Sequence, residues 1–252
     1  MTPSASLDGR RVLIVGASSG IGRALAIVVG AAGARVALAA RRLDLVEAAA
    51  EEIRDAGGEA RAWPCDVAEE ADGARLVAEA AAWMGGIDVL LYMAGSSPLV
   101  RVADAPASLW HEMLATNLVG AAVVVRSALE HLRVADAPVV VVTTHSMGSP
   151  WPWLGVYGTT KAALAELARA LRTEEPYLRV LCVAVGNTAS SFADNWDPEV
   201  AGVAFEQWVG DGLLRYDVLQ CNEMADSIVT AVLDPTTPDD LLIAGAEVQP
   251  TQ

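Results

Sequence analysis

The sequence has little cysteine, little phenylalanine and almost no lysine: three Cys, two Phe and one Lys in 252 residues. The cysteines (Cys65, Cys182 and Cys221) are odd in number and lack metal-ligand spacing, so neither a disulfide framework nor a metal site is expected. Reduced, mostly buried thiols in a cytoplasmic protein are the expectation. Positive charge is scarce too, with 17 Lys+Arg against 32 Asp+Glu and a net charge of −15. Such a chain is a poor partner for nucleic acid or an anionic membrane. An anionic ligand stays possible, because backbone amides and a few arginines can hold one. The most tempting apolar segment, Ala24–Ala40, is interrupted by Gly30, Gly33 and Arg35 and falls short of a bilayer span. Met1–Gly9 lacks the basic start and apolar stretch of a signal peptide. No Ser/Gly/Pro-rich linker, charge block or repeat of about 20–50 residues divides the chain, so one domain over residues 1–252 is expected.

What is present is apolar. Hydrophobic residues make up 53% and charged ones 19%, which excludes a disordered chain. Short Val/Ile/Leu runs alternate with Ala-rich amphipathic stretches. Strands are expected at Arg11–Val15, Val36–Ala40, Ala60–Pro64, Val89–Met93, Val139–Thr144, Arg179–Val185 and Leu241–Ala244. Helices are expected at Ile21–Ala32, Leu43–Ala56, Glu69–Met84, Ser108–Arg133, Val156–Thr173 and Glu223–Leu233. The strands are continuous apolar runs, the mark of strands covered on both faces. Strand–helix alternation along the whole chain predicts an α/β, Rossmann-like, doubly wound parallel sheet with helices on both faces. Ligands bind such sheets at the carboxyl ends of the strands.

The first strand runs into Gly16-Ala17-Ser18-Ser19-Gly20-Ile21-Gly22. A tight glycine turn lets the backbone approach a pyrophosphate at the positive end of the next helix. Alone, such a turn is weak evidence; between an apolar strand and a helix it is much stronger. The second strand ends Ala39-Ala40-Arg41-Arg42. Dinucleotide folds that take NAD place an acid at this strand end, and an arginine nearby favours the 2′-phosphate of NADP. Ala40 stands where the acid would sit, and Arg41 supplies a guanidinium fork suited to phosphate. The competing reading is two solvated arginines opening a helix.

Tyr157-Gly-Thr-Thr-Lys161 opens a helix after the fifth strand, and its i, i+4 spacing puts both side chains on one face. A nearby ammonium favours phenolate and brings a tyrosine toward working pH. Taken alone, the pair equally describes a buried tyrosine with a lysine at an ordinary helix start.

With these residues assembled, the sequence resembles the short-chain dehydrogenases/reductases, in the branch of about 250 residues. The resemblance rests on the glycine turn, Cys65-Asp66-Val67, Ala94-Gly95, Asn117, Thr143-Thr144-His145-Ser146 and Tyr157-x-x-x-Lys161, and spans roughly Leu7 to Ser191. It implies Tyr157 as the acid/base toward the substrate oxygen. Lys161 would bond the nicotinamide ribose and hold the tyrosine pKa down. Asn117 would support a water relay to Lys161. Asp66 and Val67 would meet the adenine, Ala94 and Gly95 the adenosine ribose, and Gly186 and Thr188 the nicotinamide. Gly16, Ser18, Ser19, Gly20, Ile21 and Gly22 would carry the pyrophosphate. Asp66 as a turn cap and Asn117 as a helix-kink residue are the plainer alternatives.

Three departures from the family pattern stand out. The serine expected thirteen residues before the tyrosine is Thr144, with Ser146 as its rival for the substrate oxygen. The usual Asn-Asn-Ala-Gly reads Tyr92-Met93-Ala94-Gly95, and the usual Pro-Gly reads Val185-Gly186. A lid is expected at about 187–220, where Phe192, Trp196, Phe205, Trp208 and Tyr216 suit an apolar or ring-bearing carbonyl or alcohol, or simply pack on one another. The apolar helices Ser108–Arg133 and Val156–Thr173 point to a homodimer or homotetramer. The expected activity is NADP(H)-dependent hydride transfer between nicotinamide and a carbonyl/alcohol substrate. The alternative is a non-catalytic NADP(H)-binding sensor or scaffold of the same fold.

Overall fold

The protein is described by a computed structural model that covers residues 6–134, 138–144 and 150–247, the segment 138–144 by its backbone alone. Seven parallel strands form one sheet: β1 (Arg11–Val15), β2 (Arg35–Ala40), β3 (Glu59–Pro64), β4 (Val89–Tyr92), β5 (Pro138–Thr144), β6 (Arg179–Val185) and β9 (Asp240–Ile243). Their order is β3-β2-β1-β4-β5-β6-β9. The chain runs outward from β1 in one direction, then restarts beside β1 with β4. That reversal opens a crevice above the carboxyl ends of β1 and β4. Two short strands, β7 (Thr188–Ala189) and β8 (Leu219–Gln220), pair separately.

The alternation of side chains along each strand sorts them into two cores. Val12 and Ile14 of β1 pack with α1 (Gly20–Ala31), α2 (Leu43–Asp55) and α8 (Cys221–Leu233). Leu13 and Val15 pack on the opposite face with α3 (Glu70–Met84), α5 (Gly120–Arg133) and α6 (Gly155–Glu174). Both faces are therefore dry, as the unbroken apolar strands predict. Cys65 and Cys182 are buried, Cys221 partly so, and all three are free thiols. Burial pushes the Cys65 thiol up to about 11, so this sulfur stays protonated.

Two elements differ from the sequence reading. The helix expected at Ser108–Arg133 is α4 (Ala107–Leu114) and α5 joined by a π turn at Ala115–Val119. The whole stretch Ala107–Arg133 is long and apolar enough to cross a membrane, yet Met113, Ala121, Val124, Ala128 and Leu132 on it are buried in the protein core. Within the connection after β6 lies a helix that periodicity missed, α7 (Pro198–Gly210). Its start was readable: Asp197 Oδ1 accepts from the amides of Glu199 and Val200, and Pro198 fills the first turn.

Candidate active site

One large cavity, ≈1510 Å³, lies over the carboxyl ends of the strands. The glycine turn forms its floor. Gly16 has φ +94° and Gly20 φ +57°, a region open to glycine at little cost. A Cβ on Gly16 would stand 2.5 Å from the Ala94 amide nitrogen, and one on Gly22 would stand 2.2 Å from the Gly16 carbonyl. These two glycines let turn, strand and helix close on each other. Gly20 is different: a Cβ there meets nothing nearer than Ser190 Cβ at 3.5 Å. Its left-handed backbone leads into α1, and Ser19 before it makes no side-chain capping bond. The positive end of α1 thus borders the cavity, a cradle suited to a pyrophosphate.

Beside this cradle, Ala40 ends β2 with no acid in the position that would hold a free ribose 2′-hydroxyl. Arg42 Nη2 sits 3.1 Å from both Ser18 Oγ and Ser19 Oγ. Arg41 lines the same rim. The sequence favoured Arg41; the geometry gives the shared contact with the glycine loop to Arg42. Asp66, Val67, Ala94 and Gly95 line the adjacent wall. Asp66 Oδ1 also accepts from the Ala68 amide at 3.1 Å, so the turn-cap role is present as well.

At the other end, α6 brings Tyr157 and Lys161 to the cavity from one helix face. Both are nearly buried, and Lys161 Nζ lies 5.7 Å from the Tyr157 ring centroid. Asn117, fully buried in the π turn, bonds both polar groups of Ser96: Oδ1 accepts from its amide and Nδ2 donates to its carbonyl, each at 3.0 Å. Nδ2 also donates to Thr160 Oγ1 at 2.9 Å, and that hydroxyl donates to the Tyr157 carbonyl at 2.8 Å. A Cβ on Gly95 would stand 3.1 Å from Lys161 Nζ and 3.3 Å from Asn117 Oδ1. Glycine at 95 therefore leaves room for both polar groups.

Burial acts on both groups of this pair. Lys161 was expected to hold the Tyr157 pKa down. In the protein alone, burial pushes the Tyr157 phenol up. Burial also brings the Lys161 ammonium down to about 8. Desolvation disfavours the charged form of each.

Gly186 and Thr188 border the cavity after β6. Ser146 and the side chain of Thr144 lie outside the described residues. The connection after β7 closes over Tyr157 with rings. Phe192 lies 5.2 Å from Tyr157 and Trp196 5.6 Å from Phe192, centroid to centroid. Trp208 of α7 lies 5.1 Å from Trp151, just ahead of α6. Two indole bonds tie this cover down, from Trp196 to the Ser97 carbonyl at 2.6 Å and from Trp208 to the Pro152 carbonyl at 2.9 Å. Trp153 pays for its place with a left-handed φ of 70°, uncommon for a bulky residue. Asn187, Ser190 and Ser191 also line the cavity, and no sequence signal marked them.

A doubly wound sheet with a glycine turn at its switch point and a Tyr–Lys helix face on the same crevice defines a dinucleotide-binding α/β protein. A family model described as short chain dehydrogenase matches residues 10–201. The chain belongs to that family, whose members are oxidoreductases using a nicotinamide cofactor. Dehydrogenase/reductase SDR family member 4 of Bos taurus is 31% identical over 191 residues, covering 74% of this chain and 68% of that protein. Tropinone reductase-like 3 of Erythroxylum coca is 29% identical over 189 residues, covering 74% and 73%. Among solved structures, a short-chain type dehydrogenase/reductase from Mycobacterium marinum superposes with TM-score 0.83 at 25% identity, covering 95% and 96%. An alcohol dehydrogenase from the archaeon Thermococcus sibiricus, complexed with 5-hydroxy-NADP, superposes with TM-score 0.83 at 23% identity, covering 96% and 99%, which supports the fold alone.

Proposed function

We propose that the protein is an NADP(H)-dependent oxidoreductase that moves a hydride between nicotinamide and a carbonyl/alcohol substrate. The observation that carries this reading is the continuity of one cavity from Arg42 and the glycine loop to Tyr157 and Lys161. The residues fit the cofactor: Gly20 leaves the cradle open, and Arg41 and Arg42 on the same rim would suit a 2′-phosphate. The cofactor supplies the hydride. Tyr157 exchanges a proton with the substrate oxygen, and Lys161 binds toward the ribose side and holds positive charge beside the phenol. Asn117 fixes Ser96 and Thr160, and through them the strand end and the helix that carry the site. The bonded Asn117 network is the specific reason to prefer an enzyme over a sensor of NADP(H), which has no use for a positioned proton donor. We further propose a cytoplasmic homodimer or homotetramer.

The test is a side-by-side titration with NADPH and NADH followed by nicotinamide fluorescence, and then NADPH oxidation with a panel of ketones and aldehydes. Tight NADPH, weak NADH and turnover are expected. Equal affinity for both cofactors refutes the phosphate assignment. NADPH binding with no turnover across the panel moves the sensor reading ahead.

A further inference from the structure

Aromatic side chains are sparse in this chain, yet they gather on this cavity. Both phenylalanines, three of seven tryptophans and two of four tyrosines line it. The indole nitrogens of Trp196 and Trp208 are already spent on backbone carbonyls, so these residues offer ring faces and edges rather than hydrogen-bond donors. Phe192 and Phe205 at the rim keep 37% and 43% of their surface open. Neighbouring rings are tilted or T-shaped, as between Phe205 and Trp208, 4.9 Å apart at 66°. Those are the geometries in which a further ring packs best. Among the described residues the lining cations are Lys161 at the reacting end and Arg41 and Arg42 at the cradle, and the acids Asp66, Glu112 and Asp194 line the same cavity.

We propose that the substrate is an uncharged, ring-bearing ketone or the matching secondary alcohol, its ring held between Phe192, Trp196 and Phe205 and its oxygen directed to Tyr157. In the reducing direction NADPH would supply the hydride to the carbonyl carbon, Tyr157 would give its proton to the oxygen and be reprotonated from solvent, and the products would be the alcohol and NADP⁺. A carboxylate or phosphate on the substrate meets Glu112 and Asp194 and, among the described lining residues, no cation beyond Lys161, Arg41 and Arg42, and is disfavoured. This inference rests on the oxidoreductase reading, and the experiment separates the two.

With NADPH in excess, kcat/KM is measured for 1-tetralone, for 2-decanone of the same carbon number, and for a tetralone carboxylate. Calorimetry measures binding of each ketone to the NADPH complex. We expect 1-tetralone to exceed both others at least tenfold, and Phe192→Leu to narrow its lead over 2-decanone severalfold. Equal or greater turnover of 2-decanone overturns the substrate class and leaves the oxidoreductase reading standing. Selective binding of 1-tetralone with no turnover of any ketone supports the ring site and overturns hydride transfer. Neither selective binding nor selective turnover overturns the ring site.

Independently of the cover, we infer that Tyr92 is a positioning residue for Asn117. Tyr92 is buried at the end of β4, and its hydroxyl donates to the Thr116 carbonyl at 2.7 Å. Thr116 sits in the π turn, where the Gly120 amide bonds to Ala115 five residues back instead of four. That shift disturbs the carbonyl ladder beside Asn117, and a side-chain donor from the sheet steadies it. Gly120 makes the room: a Cβ there would stand 2.9 Å from the Tyr92 hydroxyl and 2.5 Å from the Val67 carbonyl. The strand that lacks the usual asparagines is thus tied to the site helix by a phenol.

Tyr92→Phe removes the donor and little volume. We expect kcat to fall about tenfold, with KM and NADPH affinity within twofold. Hydrogen exchange should quicken at the Ser96 amide and at residues 115–119, whatever the reaction. The double variant with Asn117→Ala should be no slower than Asn117→Ala alone. Unchanged exchange at Ser96, or losses that simply multiply in the double variant, would overturn the assignment.

Discussion

The two ends of the cavity are built by different means. The cradle end is backbone: glycines with positive φ, a helix terminus, and strand ends in one register. Its side chains are few, and each must be small or charged at one position. The covered end is side chain: rings drawn from 151, 157, 192, 196, 205 and 208, whose mutual spacing of about 5–6 Å is set only when four segments converge. A backbone site tolerates almost no substitution, whereas a ring-lined site can exchange one ring for another. Cofactor binding would therefore be fixed at one end, and selectivity adjustable at the other.

The sharpest way to break that comparison is at Tyr157, where the ring cover meets the group proposed to react. Tyr157→Phe keeps the ring that Phe192 packs on and removes the hydroxyl proposed to donate the proton. Turnover should drop by about 10²–10⁴-fold, with NADPH affinity within twofold and the ring contacts preserved. A variant that still turns over at more than one-tenth of the original rate would mean that another group delivers the proton.

A smaller effect is expected at the cradle. Arg42→Ala should weaken NADPH by roughly 10–100-fold, the range of a lost hydrogen bond to a charged group, and leave NADH nearly unchanged. Arg41→Ala should follow the same pattern more weakly, because Arg42 rather than Arg41 is braced by Ser18 and Ser19. Parallel losses for NADPH and NADH would show that the arginines support the loop rather than read the phosphate.

This contrast also explains what the sequence made legible. Gly16, Gly20 and Gly22 could be read because their role is local: a tight turn between a strand and a helix needs glycine wherever it occurs. Tyr157 and Lys161 were legible for the same reason, four residues apart on one helix. The sheet followed from unbroken apolar strands. The π turn was not legible, because Ala115–Val119 reads as ordinary helix until Tyr92 and Ser96 arrive from the sheet. Helix α7 escaped because only Ala204 and Trp208 on it are buried while Val203, Phe205 and Val209 stay exposed, so its apolar residues form no regular stripe. Arg42 could not be ranked above Arg41 by any linear signal, since Ser18 and Ser19 lie more than twenty residues away. The upward push of burial on Tyr157 was hidden on similar grounds. Charge proximity can be inferred from spacing, but burial is a property of the assembled site.

The least disruptive test uses that burial. Lys161 holds its proton less tightly in the folded protein, at about 8, than an ordinary lysine does. Between that value and the usual lysine range near 10.4 the unfolded chain binds more protons than the folded one. Stability linked to this group must then be lowest below pH 8 and rise as pH climbs through the window. Lys161→Met keeps the stem and removes the charge. At pH 7 it should raise stability by about 1–3 kcal/mol, on the order of 5 °C in Tm for a chain of this size, and flatten the climb between pH 8 and 10. Differential scanning calorimetry of both proteins across that range measures it. A stabilised but slow variant would show that the reacting end keeps a charge that costs stability, as sites retained for activity do. A destabilised one would show instead that Lys161 holds the two ends of the cavity together in the folded protein.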